Sequence, residues 1–254
     1  METEKEIKLF RELFSNEKEN KIQFVIPPYQ RAYSWEETQW SQFEQDLRDF
    51  KGKKGYYFGH YIFEDDNNGT YYLIDGQQRF TTFILFLLVC RFYHKDFPYD
   101  NYISKLKIVN YDHLNFIALQ EHIKNKNEWN IDLPILPINL PELPITLSLI
   151  RIISAMNYFH QAFKKERLDP HCIRDYIEII IESHISVHRT MGKDVAVQIF
   201  ELHNTRGIRL NTIERVKAKL IKACYHSSKK KDETENAINE IQKKFAEIFK
   251  FEEQ

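Results

Sequence analysis

Apolar positions change period several times in the first third of the chain, and each change marks an element. Ile7, Leu9, Phe10, Leu13 and Phe14 recur at helical spacing, so residues 4–15 are expected to form a helix. Ile22 to Ile26 reads as a short strand, halted by Pro27 and Pro28, which cannot donate to a ladder. From Ser34 onward Trp40, Phe43, Leu47 and Phe50 repeat with helical period. Ser34 is the expected N-cap there, with Glu36 and Glu37 in a first turn where the helix dipole favours negative charge. Tyr56 to Phe63 and Thr70 to Ile74 are aromatic and β-branched runs flanking Asp65-Asp66-Asn67-Asn68-Gly69, which is hairpin-turn chemistry. After Asp75-Gly76 a long apolar helix is expected to reach about Tyr93.

Farther along, Pro134, Pro137, Pro141 and Pro144 crowd into Leu133 to Pro144, which reads as an extended connection. The spans 146–166, 170–184, 194–204, 211–226 and 234–251 have helical character, and Ile185 to Thr190 reads as a strand. Lys229-Lys230-Lys231 is expected in a solvated loop, and no internal repeat is visible. The pattern predicts an α+β protein: a small mixed β-sheet core over 1–95, an extended proline-containing connection with a helix over 96–145, and a mainly helical portion over 146–254.

Composition narrows what such a chain does. Of 254 residues, 43% are hydrophobic and 29% charged, which is enough apolar material for a core and far from the disordered regime. With 36 Lys+Arg against 37 Asp+Glu the formal net charge is −1, which excludes a generally basic nucleic-acid coat. Seven glycines and no G-x-x-x-x-G-K-[ST] string exclude a Walker-type phosphate loop. Cys90, Cys172 and Cys224 are odd in number and far apart, so a reducing compartment is expected. No apolar signal core follows Met1, and Phe80 to Phe92 falls short of a membrane span, so the expectation is a soluble, cytoplasmic protein without membrane contact. Ten histidines without an H-E-x-x-H string, and no C-x-x-C pair, point to no zinc site and to supporting or surface roles for each His. No G-x-S-x-G elbow is present.

Three segments carry candidate chemistry. In Ile26-Pro27-Pro28-Tyr29-Gln30-Arg31-Ala32-Tyr33-Ser34-Trp35 a strand end delivers an arginine, a glutamine and aromatics into a proline-stiffened turn. The guanidinium of Arg31 suits a phosphate and Tyr29 or Tyr33 a base; the plain alternative is that the aromatics cap the core and Arg31 pairs with Glu36 or Glu37. In Ile74-Asp75-Gly76-Gln77-Gln78-Arg79 a strand ends and a helix begins at once, which gathers free N–H groups, Gln77, Gln78 and Arg79 at one point. Asp75 either caps the helix by accepting from the Gln78 N–H or holds a divalent cation or a water; Gly76 allows close backbone approach or simply turns. In the third segment, 199–212, a helix ends near Asn204 and Gly207 and another starts after Asn211 or Thr212. Asn204, Arg206, Arg209 and Lys217 are then available to the same site, unless Asn204 and Gly207 only end the helix.

Together, Ile26 to Trp35, Tyr57-Phe58-Gly59-His60, Ile74 to Thr82 and Phe200-Glu201-Leu202-His203-Asn204-Thr205-Arg206-Gly207-Ile208-Arg209-Leu210 occur in the order that resembles the N-terminal domain of GmrSD-type modification-dependent restriction endonucleases, a domain also similar to one in the anti-phage protein SspE. The resemblance spans roughly residues 5–225, with Phe80 where that family usually has Leu. It implies a ParB/sulfiredoxin-like core that binds and hydrolyses a nucleoside triphosphate with Mg2+ or another divalent cation. It further implies action on modified DNA with a His-Asn-His-type nuclease domain or subunit, expected on another chain. Carried onto this sequence, Asp75, Gln78 and Arg79 would be catalytic, with Asp75 the metal ligand. Tyr29, Gln30, Arg31, Gly76, Gln77, Asn204, Arg206 and Gly207 would bind the nucleotide. The competing expectation is a non-catalytic DNA-binding or assembly module in which the arginines hold DNA phosphates, and a homo-oligomer is compatible with either.

Overall fold

The computed structural model describes residues 5–15, 22–94, 99–125, 128–131, 145–166, 170–190, 192, 195–196, 199, 212–227 and 231–251. Among these the chain runs β1 (Lys5–Leu9), a 3-10 turn (Phe10–Phe14), β2 (Gln23–Val25), α1 (Glu37–Phe50), β3 (Tyr57–Asp65) and β4 (Thr70–Asp75). There follow α2 (Gln77–Tyr93), α3 (Asp100–Ile103), β5 (Leu106–Lys107), α4 (Asn110–Asn125), α5 (Leu147–Glu166), α6 (Pro170–Ile181), β6 (His184–Thr190), α7 (Thr212–His226) and α8 (Lys231–Phe251). The strands form one mixed sheet in the order β1-β6-β3-β4-β2-β5, so the α+β expectation holds. Leu133 to Pro144 and the motif 200–210 lie outside the described residues.

Why the sheet forms here follows from its two faces. β3 is buried along most of its length because helices cover it on both sides, as its near-continuous apolar run Tyr61-Ile62-Phe63 requires. On one face Phe24, Phe58, Tyr61, Phe63 and Leu73 pack with α2 in the main core. On the other, Ile62, Ile74 and Tyr72 pack against Ala218, Ile221 and Cys224 of α7 and Ile238 and Ile241 of α8. α2 is apolar all round and buried from Phe80 to Cys90, since α4, α5 and α6 close over the side away from the sheet.

Several local expectations are corrected by tertiary pairing. Residues 4–15 are not a helix: Lys5 to Leu9 pair antiparallel with β6, from Lys5↔His188 to Leu9↔His184. Only Phe10–Phe14 coil, as a 3-10 turn whose i, i+3 repeat buries Phe10 and Leu13 and so mimics helical spacing. Ser34 is not the cap of α1. Glu36 is, and its N–H donates to Gln39 Oε1 at 2.9 Å, while the Ser34 N–H donates elsewhere. α6 ends at Ile181, because His184 must be extended to lead β6, and Lys231 opens α8 instead of belonging to a loop. The span 96–145 contributes α3, α4 and the sheet strand β5. Among the described residues no helix is long and apolar enough to cross a membrane.

Phe80 ties the layers together: its ring lies 4.8 Å from that of Phe24, 5.7 Å from Phe10 and 5.9 Å from Phe14, centroid to centroid. Phe80→Ala is expected to destabilise the fold by about 3–5 kcal/mol through the cavity it leaves. Equilibrium denaturation of the two proteins checks this.

Candidate functional site

Three of the strands, β4, β2 and β5, run parallel, with Val25 opposite both Tyr72 and Lys107. Parallel strands point the same way, so the segments leaving them emerge on one edge, where open α/β sheets place their ligands. The loop after β2, the Asp75-Gly76 turn after β4 and the start of α4 after β5 therefore meet there. This is why two segments separated by more than forty positions in sequence become one site.

Two glutamines lock that meeting. Gln30 Nε2 donates to the carbonyls of Ile74 (2.6 Å) and Leu73 (3.2 Å), fastening its loop to the end of β4. Gln78 does the reverse from α2: its Nε2 donates to Ala32 O at 3.0 Å while its Oε1 accepts the Ser34 N–H at 2.8 Å. Both ends of the Gln78 amide are thus committed to the backbone of the first segment. Tyr33 completes the lock, its hydroxyl 2.7 Å from Thr82 Oγ1 and accepting from Trp40 Nε1 at 2.8 Å.

Asp75 is aimed by a bulge. Ile62 pairs with Asp75 but Phe63 with Leu73, so Ile74 is an extra residue and the strict alternation of β4 is broken. Asp75 thereby sits opposite Ile62, whose side chain faces the α7–α8 side, instead of returning to the core side with Leu73. It is not the helix cap, one of the two roles the sequence left open for it. Gly76 is the N-cap, at φ 88° and with no side-chain hydrogen bond to the helix, so the first-turn N–H groups of α2 are not met by a cap. Gly76 is demanded by packing as well as by its left-handed backbone: a Cβ there would lie 2.5 Å from the Tyr61 ring and 3.1 Å from the His60 carbonyl. Gln77 is buried, and its Oε1 has no hydrogen-bond partner among the described residues.

Arg79 turns back under β3. Its guanidinium donates to Phe58 O at 3.1 Å and to His60 O at 3.5 Å, and it lies 5.4 Å from the centre of the Tyr61 ring. Between those carbonyls stands Gly59, at φ 106°, where a Cβ would fall 1.4 Å from Arg79 Nη1. The Tyr57-Phe58-Gly59-His60 string and Arg79 are therefore one structural unit: the glycine makes the gap that the guanidinium fills.

The electrostatics of the site are set by burial. Lys217 of α7 is fully buried with Nζ donating to Gln30 O at 2.7 Å, and desolvation pushes it down to about 8, opposed by the carboxylates of Glu214 and Asp112. Burial likewise lowers the Arg31 guanidinium, and the charge opposing that shift is Glu214, not Glu36, which pairs with Arg151, nor Glu37. Tyr29 is buried in the second core, and burial raises its phenol far above its usual value. The sequence placed Lys217 as added charge at the site but gave no sign of its full burial, nor of Asp112, held by Thr146 Oγ1 at 2.5 Å. Only the helical period of α7, with Lys217 on the stripe of Ala218 and Ile221, hinted at burial. Asn204, Arg206, Gly207 and Arg209 lie outside the described residues.

Among the described residues no three His, Cys, Asp or Glu side chains gather as a metal cage. The donor set at Asp75 fits a cation of another kind, one bound through a single carboxylate with its remaining ligands from phosphate oxygens and water, as Mg2+ prefers. The family model described as GmrSD restriction endonuclease, N-terminal domain, matches residues 10–221 of the chain. No curated protein matches it.

Gly59→Ala is expected to destabilise the fold by about 1–3 kcal/mol through backbone strain and the displaced guanidinium. In an Arg79→Ala background the same change should be less damaging, a coupling that a double-mutant cycle measures. Lys217 binds its proton less tightly folded (about 8) than unfolded (10.5), so between those pH values the unfolded chain holds more protons and stability rises with pH. The penalty below pH 8 is on the order of 3 kcal/mol. Lys217→Met should therefore gain on the parent most at pH 7 and progressively less towards pH 10, read from denaturation at each pH.

Proposed function

The chain belongs to the GmrSD restriction endonuclease N-terminal domain family, and on that premise we propose that its Asp75–Arg79 turn binds and hydrolyses a nucleoside triphosphate with a divalent cation. Membership ties the chain to a DNA-restriction system. In the proposed division of labour it is the nucleotide-dependent sensor of modified DNA, and cleavage belongs to a His-Asn-His-type nuclease domain or subunit. The observation that carries the reading is the junction of a bulge-aimed carboxylate, Asp75, with the uncapped first turn of α2 at the ends of three parallel strands. A helix N-terminus without a capping side chain offers oriented N–H groups to a phosphate.

Each residue then has a stated part. The first-turn N–H groups of α2 and the Nε2–H of the buried Gln77 amide donate to phosphate oxygens, and Asp75 would hold the cation. When bound, the cation supplies charge neutralisation on the phosphates and activates water. Gln30, Gln78 and Arg79 act by keeping the turn rigid, since their polar ends are engaged with backbone carbonyls and an N–H. That rigidity matters because phosphoryl transfer is mostly positioning and charge stabilisation.

Asp75→Asn tests the site better than Arg79→Ala, since Arg79 also braces β3. Phosphate release from a panel of nucleoside triphosphates with Mg2+ should fall at least about 100-fold in Asp75→Asn, the scale on which metal-dependent charge stabilisation acts. If the parent protein releases no phosphate from any of them yet binds DNA with an affinity that falls steeply with salt, the chain is a binding module instead.

A further inference from the structure

The sheet face towards which the bulge aims Asp75 also carries an ordered imidazole. Asp75 and His188 both pair with Ile62, one from β4 and the other from β6. In the next row of the same face, two residues along β3, His60 pairs with Ser186. His60 Nδ1 lies 2.7 Å from Ser186 Oγ, which is itself 2.8 Å from the Tyr57 hydroxyl. The backbone of His60 is part of the turn already described, its carbonyl accepting from Arg79 and lying against Gly76. The His188 ring stands edge-on to that of His60, centroids 6.4 Å apart, and its buried Nε2 has no hydrogen-bond partner among the described residues.

We propose that His60 is a catalytic residue of this site, a general base for the attacking water, and that Ser186 and Tyr57 are positioning residues that fix its ring. The assignment rests on the hydrolysis reading above and names the proton acceptor that reading lacks. With Nδ1–H donating to Ser186 Oγ, and the Ser186 hydroxyl donating to Tyr57 Oη, the lone pair of His60 is on Nε2. Water attacks the terminal phosphorus and passes a proton to Nε2. The bond from that phosphorus to the bridging oxygen breaks, its electron pair leaving with the nucleoside diphosphate. The imidazolium keeps the same Nδ1–H donor to Ser186, so no hydrogen bond is reversed on protonation, and the proton is then released to solvent. Among the described residues, the groups placed around His60 include Asp75 in the adjoining row, the His188 ring, the two hydroxyls and the Arg79 guanidinium on its carbonyl.

The test uses the full chain with Mg2+ and the nucleoside triphosphate it hydrolyses fastest, with Asp75→Asn measured alongside. For His60→Ala, kcat should fall at least about 100-fold while nucleotide Kd moves less than about 3-fold, and added imidazole should restore at least about tenfold of the lost rate. Ser186→Ala, which deletes one hydroxyl, should lower kcat by about 3–10-fold without changing Kd, less than the loss of the general base itself. It decides the matter if His60→Ala does not fold. Unchanged kcat in either variant, or a loss in His60→Ala that imidazole does not restore, overturns the assignment. Turnover abolished by Asp75→Asn but retained by His60→Ala overturns this inference alone; absence of turnover in the parent overturns it together with the reading beneath it.

Discussion

Parallel pairing of β2 between β4 and β5 is the constraint on which the rest of the site depends. It sends three chain segments out of the sheet at one edge, and every polar contact described there exists to hold those segments in register. Gln30 ties the β2 loop to β4, Gln78 ties α2 to the β2 loop, and Lys217 reaches from α7 to the carbonyl of Gln30. Side-chain amides suit this task because each offers a donor and an acceptor to unpaired backbone groups at strand ends. Buried as they are, such groups would destabilise the fold if left unmet.

The second organising unit is Arg79 with Gly59. A guanidinium placed against two carbonyls at a point where β3 and β6 shift register holds open a defect that regular pairing would close. The bulge on the opposite side of β3, at Ile74, uses the same irregular strand to aim Asp75. β3 thus carries an irregularity towards each neighbour, with His60 to Ile62 between them. Bulges of this kind commonly re-aim side chains next to functional sites.

A near-neutral chain can still concentrate charge. Arg31, Lys217, Glu214 and Asp112 are drawn together by burial at the junction of the first segment with α4 and α7, where the low-dielectric surroundings strengthen their mutual attraction and penalise any one of them alone. Lys217 fixes the loop that frames the site through the Gln30 carbonyl, at a desolvation cost.

Much of this protein is legible in its sequence. Aromatic and β-branched runs around the turn residues Asp65 to Gly69 specified the β3–β4 hairpin, the unbroken apolar stretch after Asp75-Gly76 specified α2, and the four ordered motifs specified the family, because each is a local pattern in the chain. What the tertiary structure alone decided is pairing and burial between distant segments. Residues 5–9 became a strand because β6 offered an edge, Gly76 displaced Asp75 as the cap because a bulge had turned the carboxylate away, and Arg79 became a brace because Gly59 left room for it. None of these has a periodic signature. Each depends on what a residue far along the chain places within a few ångströms, and sequence spacing does not encode that distance.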